Sequence, residues 1–353
     1  MDILAASFRL ARIAEKTLDG LVSGAVTRTV PAGVDLVAIR HATSHRTIEP
    51  LRDDKHGTGV LNGNSIKYVT SEMFIGYENV THLALDGNPI ESIEPGAFEK
   101  LSQLYELLLS FNDLESIKRG VFNGLSLLHT LNIEKNLISV IEEGAFDGMS
   151  SLFHLDLSGN RIGSIKQGMF SGMPSLFTLG LSHNSIKVIT SGVFNWLPSL
   201  HVLSLDGNRI ETIEDGAFGG LSTLTVLDLV GNRIKLISEN ALCGMPSLQV
   251  LCLQGNHIEI ISPGAFEAMR SLIRLDLAGN RITSIGENTL SGMPSLEFLD
   301  LQDNRIEAIA PGAFKAMPLL TRLVLTDNPI CLTTKPDEPL RAWGLPARAK
   351  VEC

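Results

Sequence analysis

The stretch Leu152-x-x-Leu155-x-Leu157-x-x-Asn160-x-Ile162-x-x-Ile165, followed by Gly168-x-Phe170-x-x-Met173, decides the fold of this chain. The same pattern returns every 24 residues, and an asparagine marks each copy without a slip. These asparagines are Asn64, Asn88, Asn112, Asn136, Asn160, Asn184, Asn208, Asn232, Asn256, Asn280, Asn304 and Asn328. A fixed period of this length indicates a repeat architecture in which each unit packs on its neighbours.

Each repeat contains a short segment, such as Leu152 to Leu157, in which apolar and polar residues alternate. This alternation predicts a strand with one buried face. A single unit cannot bury that face, so we expect the units to stack as a parallel sheet with strands ~4.8 Å apart over one elongated core. We therefore predict an α/β repeat solenoid, a horseshoe with a parallel concave sheet and an irregular or short-helical convex side.

The marker asparagines and a set of phenylalanines are expected to form two structural ladders. Backbone polar groups are left unpaired where the chain turns after each strand, and an amide side chain can both donate and accept there. The phenylalanines should stack on the opposite side of the core. They are Phe74, Phe98, Phe122, Phe146, Phe170, Phe194, Phe218, Phe266 and Phe314, and the series is interrupted by Leu242 and Leu290.

The pattern resembles the leucine-rich repeat of the typical 24-residue class. The Ile-x-x-Gly-Ala-Phe spacing at Ile141 to Phe146 and at Ile213 to Phe218 is similar to the ectodomains of Toll, Slit and LINGO-type proteins. It is also similar to the acid-labile subunit and to lamprey variable lymphocyte receptors. The resemblance implies a secreted or cell-surface protein that binds protein or glycan ligands, and it transfers no individual binding residue.

The carboxyl end, with Asn328-Pro329, Cys331, Trp343 and Cys353, resembles the caps of extracellular leucine-rich-repeat proteins. The resemblance favours a Cys331–Cys353 disulfide over two free thiols, although such caps usually hold four cysteines. Cys243 and Cys252 are interpreted as unpaired small residues.

Three regions follow from the repeat. Residues 1–55 lack the period, and we expect an amphipathic helix followed by partial disorder there. Residues 56–330 form the array, with an atypical first repeat at 56–79. Residues 331–353 form a short cap.

Composition excludes several classes of function. The formal net charge is -10, and no basic stripe offsets it, so we expect no nucleic-acid partner. No apolar run approaches the roughly 18 residues of a membrane-spanning helix. No signal peptide is visible at the amino terminus. An extracellular or cell-surface location is nevertheless preferred, on the repeat class, the cap and the glycosylation sequon Asn79-Val80-Thr81, with a cytoplasmic location as the alternative.

The candidate binding site is the concave strand face, where the residues between the leucines point outward. Its central repeats carry aromatic and histidine side chains that favour a binding hot spot, and its later repeats carry carboxylates that suit a cationic partner. The candidates are His82, Tyr105, Glu106, Phe111, His129, Phe153, His154, Phe177, His183, His201, Asp228, Asp276, Glu297 and Asp300. Asp303, Asp327, Arg274 and Arg322 extend the later part.

Catalysis is not expected. Phosphate-binding loops, His-Glu-x-x-His and Gly-x-Ser-x-Gly motifs are absent from the sequence. An open sheet is not expected to desolvate carboxylates such as Asp300 and Asp303 enough to shift their pKa values. The histidines have no compact ligand set, so neither a metal nor any other cofactor is predicted. The prediction is a protein-binding or glycan-binding scaffold, with an intracellular adaptor or regulatory subunit as the alternative.

Overall fold

The computed structural model describes residues 57–333 and 342–353. A thirteen-stranded parallel sheet runs the whole length of this part. Its strands are Thr58–Val60, His82–Ala84, Glu106–Leu108, Thr130–Asn132, His154–Asp156, Thr178–Gly180, Val202–Ser204, Val226–Asp228, Val250–Cys252, Arg274–Asp276, Phe298–Asp300, Arg322–Val324 and Lys350–Glu352. The predicted solenoid is confirmed, whereas the helix predicted within residues 1–55 lies outside the described residues.

The strands pair in an unbroken register set by the repeat. Leu155, for example, lies opposite Leu131 on one side and Leu179 on the other, each one repeat away. Because the pairing partner within the repeats is the equivalent residue, a side chain type that recurs in the sequence becomes a continuous column on the sheet. This property positions the candidate site described below.

The convex side consists mainly of turns. Five pairs of two-residue strands add short parallel ladders there. The pairs are Tyr68–Val69 with Ser92–Ile93, Ser116–Ile117 with Val140–Ile141, Val188–Ile189 with Thr212–Ile213, Leu236–Ile237 with Ile260–Ile261, and Ser284–Ile285 with Ala308–Ile309. The described part includes a 3-10 turn at Ser71–Phe74 and an α-helical turn at Ile330–Thr333. No helix among these residues is long and apolar enough to span a membrane.

The phenylalanines form a buried spine along the core. Consecutive rings from Phe74 to Phe218 have centroids 5.6 to 6.4 Å apart. Leu242 and Leu290 occupy the equivalent position in two later repeats and are equally buried. These large side chains have almost no solvent exposure, so the spine contributes to the hydrophobic stability of the array.

The asparagine side chains connect neighbouring turns. The Nδ2 of Asn160 donates to the carbonyl of Ile133 in the preceding repeat at 3.0 Å and to the carbonyl of Leu157 at 2.9 Å. Its Oδ1 accepts the Ile138 amide at 3.0 Å. The side chain of Asn64, at the start of the array, makes one hydrogen bond within the described residues, to the carbonyl of Leu61 at 2.9 Å. The ladder therefore satisfies buried backbone groups between repeats.

The carboxyl-terminal residues close the end of the array. The last strand, Lys350–Glu352, pairs in parallel with Arg322–Val324. A disulfide joins Cys331 to Cys353, whose Cα atoms are 5.3 Å apart. The buried Trp343 ring meets Phe314 edge-on, with centroids 6.4 Å apart. These contacts cover the core where the repeats stop.

Candidate functional site

Five rings form one continuous stack on the outer face of the concave sheet. Tyr105, His129, Phe153, Phe177 and His201 each stand one repeat after the previous ring, at the position just before a strand. Their centroids are 4.7, 5.0, 4.6 and 4.2 Å apart in that order, and the interplanar angles are 10 to 15°. We call this set the ring row. The sequence predicted these residues as binding candidates but did not predict that they stack.

The ring row presents edges to solvent. Successive rings are separated by about the strand spacing of ~4.8 Å and lie nearly parallel, so their faces are turned toward one another. Thr225, at the same position in the next repeat, ends the row, and its hydroxyl donates to the carbonyl of His201 at 3.0 Å. An incoming molecule therefore meets a strip of apolar ring edges interrupted by the polar atoms of one tyrosine and two histidines.

The histidines of this region have identifiable partners. Nδ1 of His201 lies 2.7 Å from the carbonyl oxygen of Ser199, which can only accept, so this nitrogen carries the proton. In the neutral ring Nε2 is then left as an acceptor. Burial lowers the pKa of His129, although the Glu106 carboxylate opposes the effect. Burial also lowers the pKa of His154, whose ring centroid lies 5.6 Å from that of His129. Both rings thus favour the neutral form.

Two candidates lie at the edge of the face instead of in the row. Phe111 and His183 immediately precede ladder asparagines and have φ values of 55° and 54°. Most repeats carry glycine at this left-handed position, because a side chain there is strained. Phe111 is 54% exposed, with the Lys135 ammonium 4.4 Å from its ring centroid. Strained residues of this kind cluster at functional sites, which makes this edge a second part of the candidate face.

The remaining candidates flank the row. His82 lies on the strand His82–Ala84 at the amino-terminal side, with its ring tilted at 6.0 Å from Tyr105. Glu106 is half-buried on the next strand. Glu297 is exposed just before the strand Phe298–Asp300, and Asp300 is half-buried at its end. Asp303 and Asp327 have positive φ in exposed turns.

The later carboxylates correct one expectation from the sequence. Asp228 and Asp276 are 5% and 8% exposed, so the open sheet does desolvate them. Burial raises the pKa of Asp228 to about 6, and the nearby Asp206 and Asp276 carboxylates act in the same direction. Burial likewise raises the pKa of Asp276. The physical reason is the in-register column, in which Cys252 lies between the two aspartates and each neighbouring side chain excludes water from the next.

Some outward residues were not recognised as candidates from the sequence, because each is unremarkable when considered by itself. Val202 and Val226 are both 7% exposed and form an apolar column with the half-buried Val250. Phe298 is held between two guanidinium groups, with Arg274 Cζ 4.2 Å and Arg322 Cζ 5.3 Å from its ring centroid. The strand register is the feature that could have identified them, because it places residues from successive repeats side by side in columns.

The two free thiols lie in different surroundings. Cys252 is buried, and its burial raises the pKa of the thiol to about 12. Cys243 is unpaired and half-buried on the convex side. Within residues 57–333 and 342–353, no three histidine, cysteine or acidic side chains are arranged to hold a metal ion.

The comparisons with known proteins agree with the geometry. The family model described as leucine rich repeat matches residues 60–114, 102–162, 155–210, 198–258 and 248–306. Because these matches together span most of the chain, the protein belongs to the leucine-rich-repeat family. No curated protein sequence matches it.

Solved structures share the fold. The TLR13 complex with ssRNA13 has a TM-score of 0.64 and 24% identity, over 74% of this chain and 45% of that one. The Drosophila Toll–Spatzle complex has a TM-score of 0.60 and 22% identity, over 76% and 40%. The leucine-rich-repeat domain of APL1B has a TM-score of 0.63 and 24% identity, over 78% and 77%. The chain therefore spans less than half the length of the two Toll-type structures.

Proposed function

We propose that this chain is a protein-recognition module and that its partner lies across the ring row. The observation that carries the proposal is the continuous stack from Tyr105 to His201 on the outer face of a rigid sheet. Aromatic side chains on an otherwise accessible strand face are typical of binding hot spots, and a stack held in register loses little conformational entropy on binding.

Ring orientation favours protein over glycan or nucleic acid. Sugars and unpaired bases bind aromatic residues chiefly through the ring face. In the ring row those faces are occupied by neighbouring rings, so the exposed edges suit apolar side chains and peptide groups. The Toll structure is a complex with the protein Spatzle, which supports the same choice by analogy.

Nucleic acid is the second candidate, and the TLR13 complex with ssRNA13 is the observation that favours it. Electrostatics argue against it for this chain. The formal net charge is -10, and aspartates continue the face beyond the ring row, so phosphate groups would be repelled. A protein surface with compensating basic residues fits the same charges.

An extracellular or cell-surface location is part of the proposal. The disulfide between Cys331 and Cys353 is typical of an oxidising compartment. Asn79, the sequon residue, is exposed in a turn and accessible to glycosylation. A receptor-like ectodomain accounts for both features, whereas an intracellular adaptor accounts for neither.

Affinity capture with matched variants tests the function. The full chain, the double variant Phe153→Ser/Phe177→Ser and the control Leu236→Ser/Ile260→Ser are immobilised and exposed to secreted and cell-surface proteins. Leu236 and Ile260 are an exposed apolar pair on the convex side, so the control removes the same number of apolar groups elsewhere. We expect a set of proteins that bind to the full chain and to the control but not to the ring-row variant. Identical retention by all three would refute the proposed site.

A further inference from the structure

A second chemical feature adjoins the carboxyl-terminal end of the ring row. His201 is followed by the strand Val202–Ser204, and the next strand, Val226–Asp228, ends in a carboxylate on the same outer face. Asp228 is 5% exposed. Its position is fixed by register, with Ser204 opposite it on one side and Cys252 on the other.

The Asp228 carboxylate is only partly satisfied. Its Oδ1 accepts the Val230 amide at 3.0 Å. Its Oδ2 accepts no hydrogen bond from the residues that the structure describes and keeps some contact with solvent, and no lysine, arginine or histidine there forms an ion pair with it. Burying an ionised carboxylate without a counter-ion is unfavourable. The site therefore holds a negative charge that the described part of the chain does not neutralise.

The cationic groups nearest along the face are already engaged. Arg274 Nη2 lies 3.5 Å from Asp276 Oδ2, and its guanidinium covers Phe298. Arg322 forms two hydrogen bonds with Glu352, at 2.7 and 2.9 Å. On the other side, His183 Nε2 lies 3.7 Å from Asp206 Oδ2, and the hydroxyl of Ser182 donates to the same carboxylate. Asp228 lies between these ion pairs, and its buried carboxylate forms no ion pair with any residue that the structure describes.

The surroundings of Asp228 complement a particular kind of side chain. Val202 and Val226, both nearly buried, and the half-buried Val250 form an apolar column directly beside the aspartate. Lysine and arginine combine a long aliphatic stem with a charged end group. Such a stem can lie on the valines while its head reaches the carboxylate, and the net charge of the chain attracts it over a longer range.

From this arrangement we infer that the protein partner carries a lysine or arginine whose stem lies on Val202, Val226 and Val250 and whose head group binds Asp228, while its apolar neighbours lie on the ring row. The inference rests on the proposed function and adds the chemistry of the partner. His201 immediately precedes Val202, so the basic residue lies within a few positions of the apolar residues that contact the end of the ring row.

A displayed library of random peptides tests this chemistry without a known partner. The full chain is the selection target, in parallel with Asp228→Asn, Phe153→Ser/Phe177→Ser and Asp156→Asn. Asp156 is the matched control because it occupies the same column and makes the same turn, its Oδ1 accepting the Ser158 amide at 2.8 Å. Thermal melting of each variant verifies that it is folded.

We expect the full chain and Asp156→Asn to select peptides in which a basic residue accompanies apolar ones. Asp228→Asn should select apolar peptides without the basic residue, and peptides from the first pool should bind it about tenfold more weakly. If the selected peptides are apolar, require Phe153 and Phe177 for binding and contain no basic residue, this inference is overturned and the proposed function stands. Equal losses in Asp228→Asn and Asp156→Asn would also overturn it, because a general charge effect would then explain the selection. If the selected peptides bind Phe153→Ser/Phe177→Ser as tightly as the full chain, the proposed function itself is overturned.

Discussion

Phe153 and Phe177 stack across adjacent repeats of the concave sheet, with ring centroids 4.6 Å apart and planes 10° from parallel. Each ring also contacts a histidine on its other side, His129 or His201. The two phenylalanines are half-buried, so they join the sheet to the surface that a partner would meet. The stack thus contributes both to the stability of this face and to its shape.

The first prediction concerns the stability of the ring row. Phe153→Ser/Phe177→Ser removes three stacked pairs, each of which contributes about 0.5–1.5 kcal/mol. We expect the variant to fold and to lose on the order of 1.5–4.5 kcal/mol of unfolding free energy, measured by chemical denaturation. The core substitution Phe170→Ala should cost about 3–5 kcal/mol. A ring-row variant that fails to fold would show that the row is chiefly structural.

The second prediction concerns the asparagine ladder. Asn160→Leu removes three donated hydrogen bonds and one accepted one, and it leaves buried backbone groups without partners. We expect a loss of several kcal/mol, at about 1–3 kcal/mol for each stranded group. Asn64→Leu is the matched control, because Asn64 is only half-buried and its side chain makes one hydrogen bond to the part of the chain that the structure describes. Equal losses of unfolding free energy at the two sites would contradict the ladder as the cause.

The third prediction is a pH dependence that originates at Asp228. Its pKa is about 6 in the folded chain, against 3.8 as the ordinary value, because of burial and of the Asp206 and Asp276 carboxylates, although the Val230 amide opposes the shift. The folded chain therefore keeps this proton to a higher pH than the unfolded chain does. The contribution of Asp228 to the unfolding free energy should fall as the pH rises from about 4 to about 6, by on the order of 3 kcal/mol.

Asp228→Asn removes this contribution and retains an oxygen for the Val230 amide. We expect the variant to be more stable than the parent at neutral pH and to lose that advantage near pH 4. Denaturation curves of both proteins across this pH range give the difference in unfolding free energy. Because Cys252, Asp276 and the histidines of the same face are present in both proteins, this difference reports the titration of Asp228. A parallel pair of curves would show that the Asp228 carboxyl titrates in its ordinary range.

The fourth prediction concerns the compartment. A disulfide that closes a segment with a sequence separation of 22 should stabilise the folded chain by about 3 kcal/mol, so Cys331→Ser/Cys353→Ser should lower the melting temperature. In protein recovered from culture medium, mass spectrometry without reduction should find the Cys331–Cys353 bond and a glycan on Asn79. Reduced thiols together with an unmodified Asn79 would favour the intracellular alternative.

The fold could be predicted from the sequence because the period is unbroken. Asn160 and its equivalents specify the turn, and the leucines specify the strand and its buried face. The convex side is irregular as expected, and short strand pairs such as Leu236–Ile237 with Ile260–Ile261 are an additional feature that the sequence did not indicate. Two residues are too few to give a recognisable alternation.

The candidate site could be predicted residue by residue but not as an arrangement. Tyr105, Phe153 and Phe177 were recognised as outward aromatics, yet their stacking follows from the exact register between strands. The burial of Asp228 depends on which side chains stand beside it, and Val202 and Val226 are unremarkable until the sheet aligns them. Local pattern identifies which residues face outward, whereas the register determines which of them act together.

The most direct test of the account is the affinity of a captured protein partner for the full chain and for Phe153→Ser/Phe177→Ser, measured by surface plasmon resonance with Leu236→Ser/Ile260→Ser as the control. Removing two hot-spot aromatics should weaken binding at least about tenfold, while the control binds like the full chain. Equal affinity of all three proteins would contradict the ring row as the binding site.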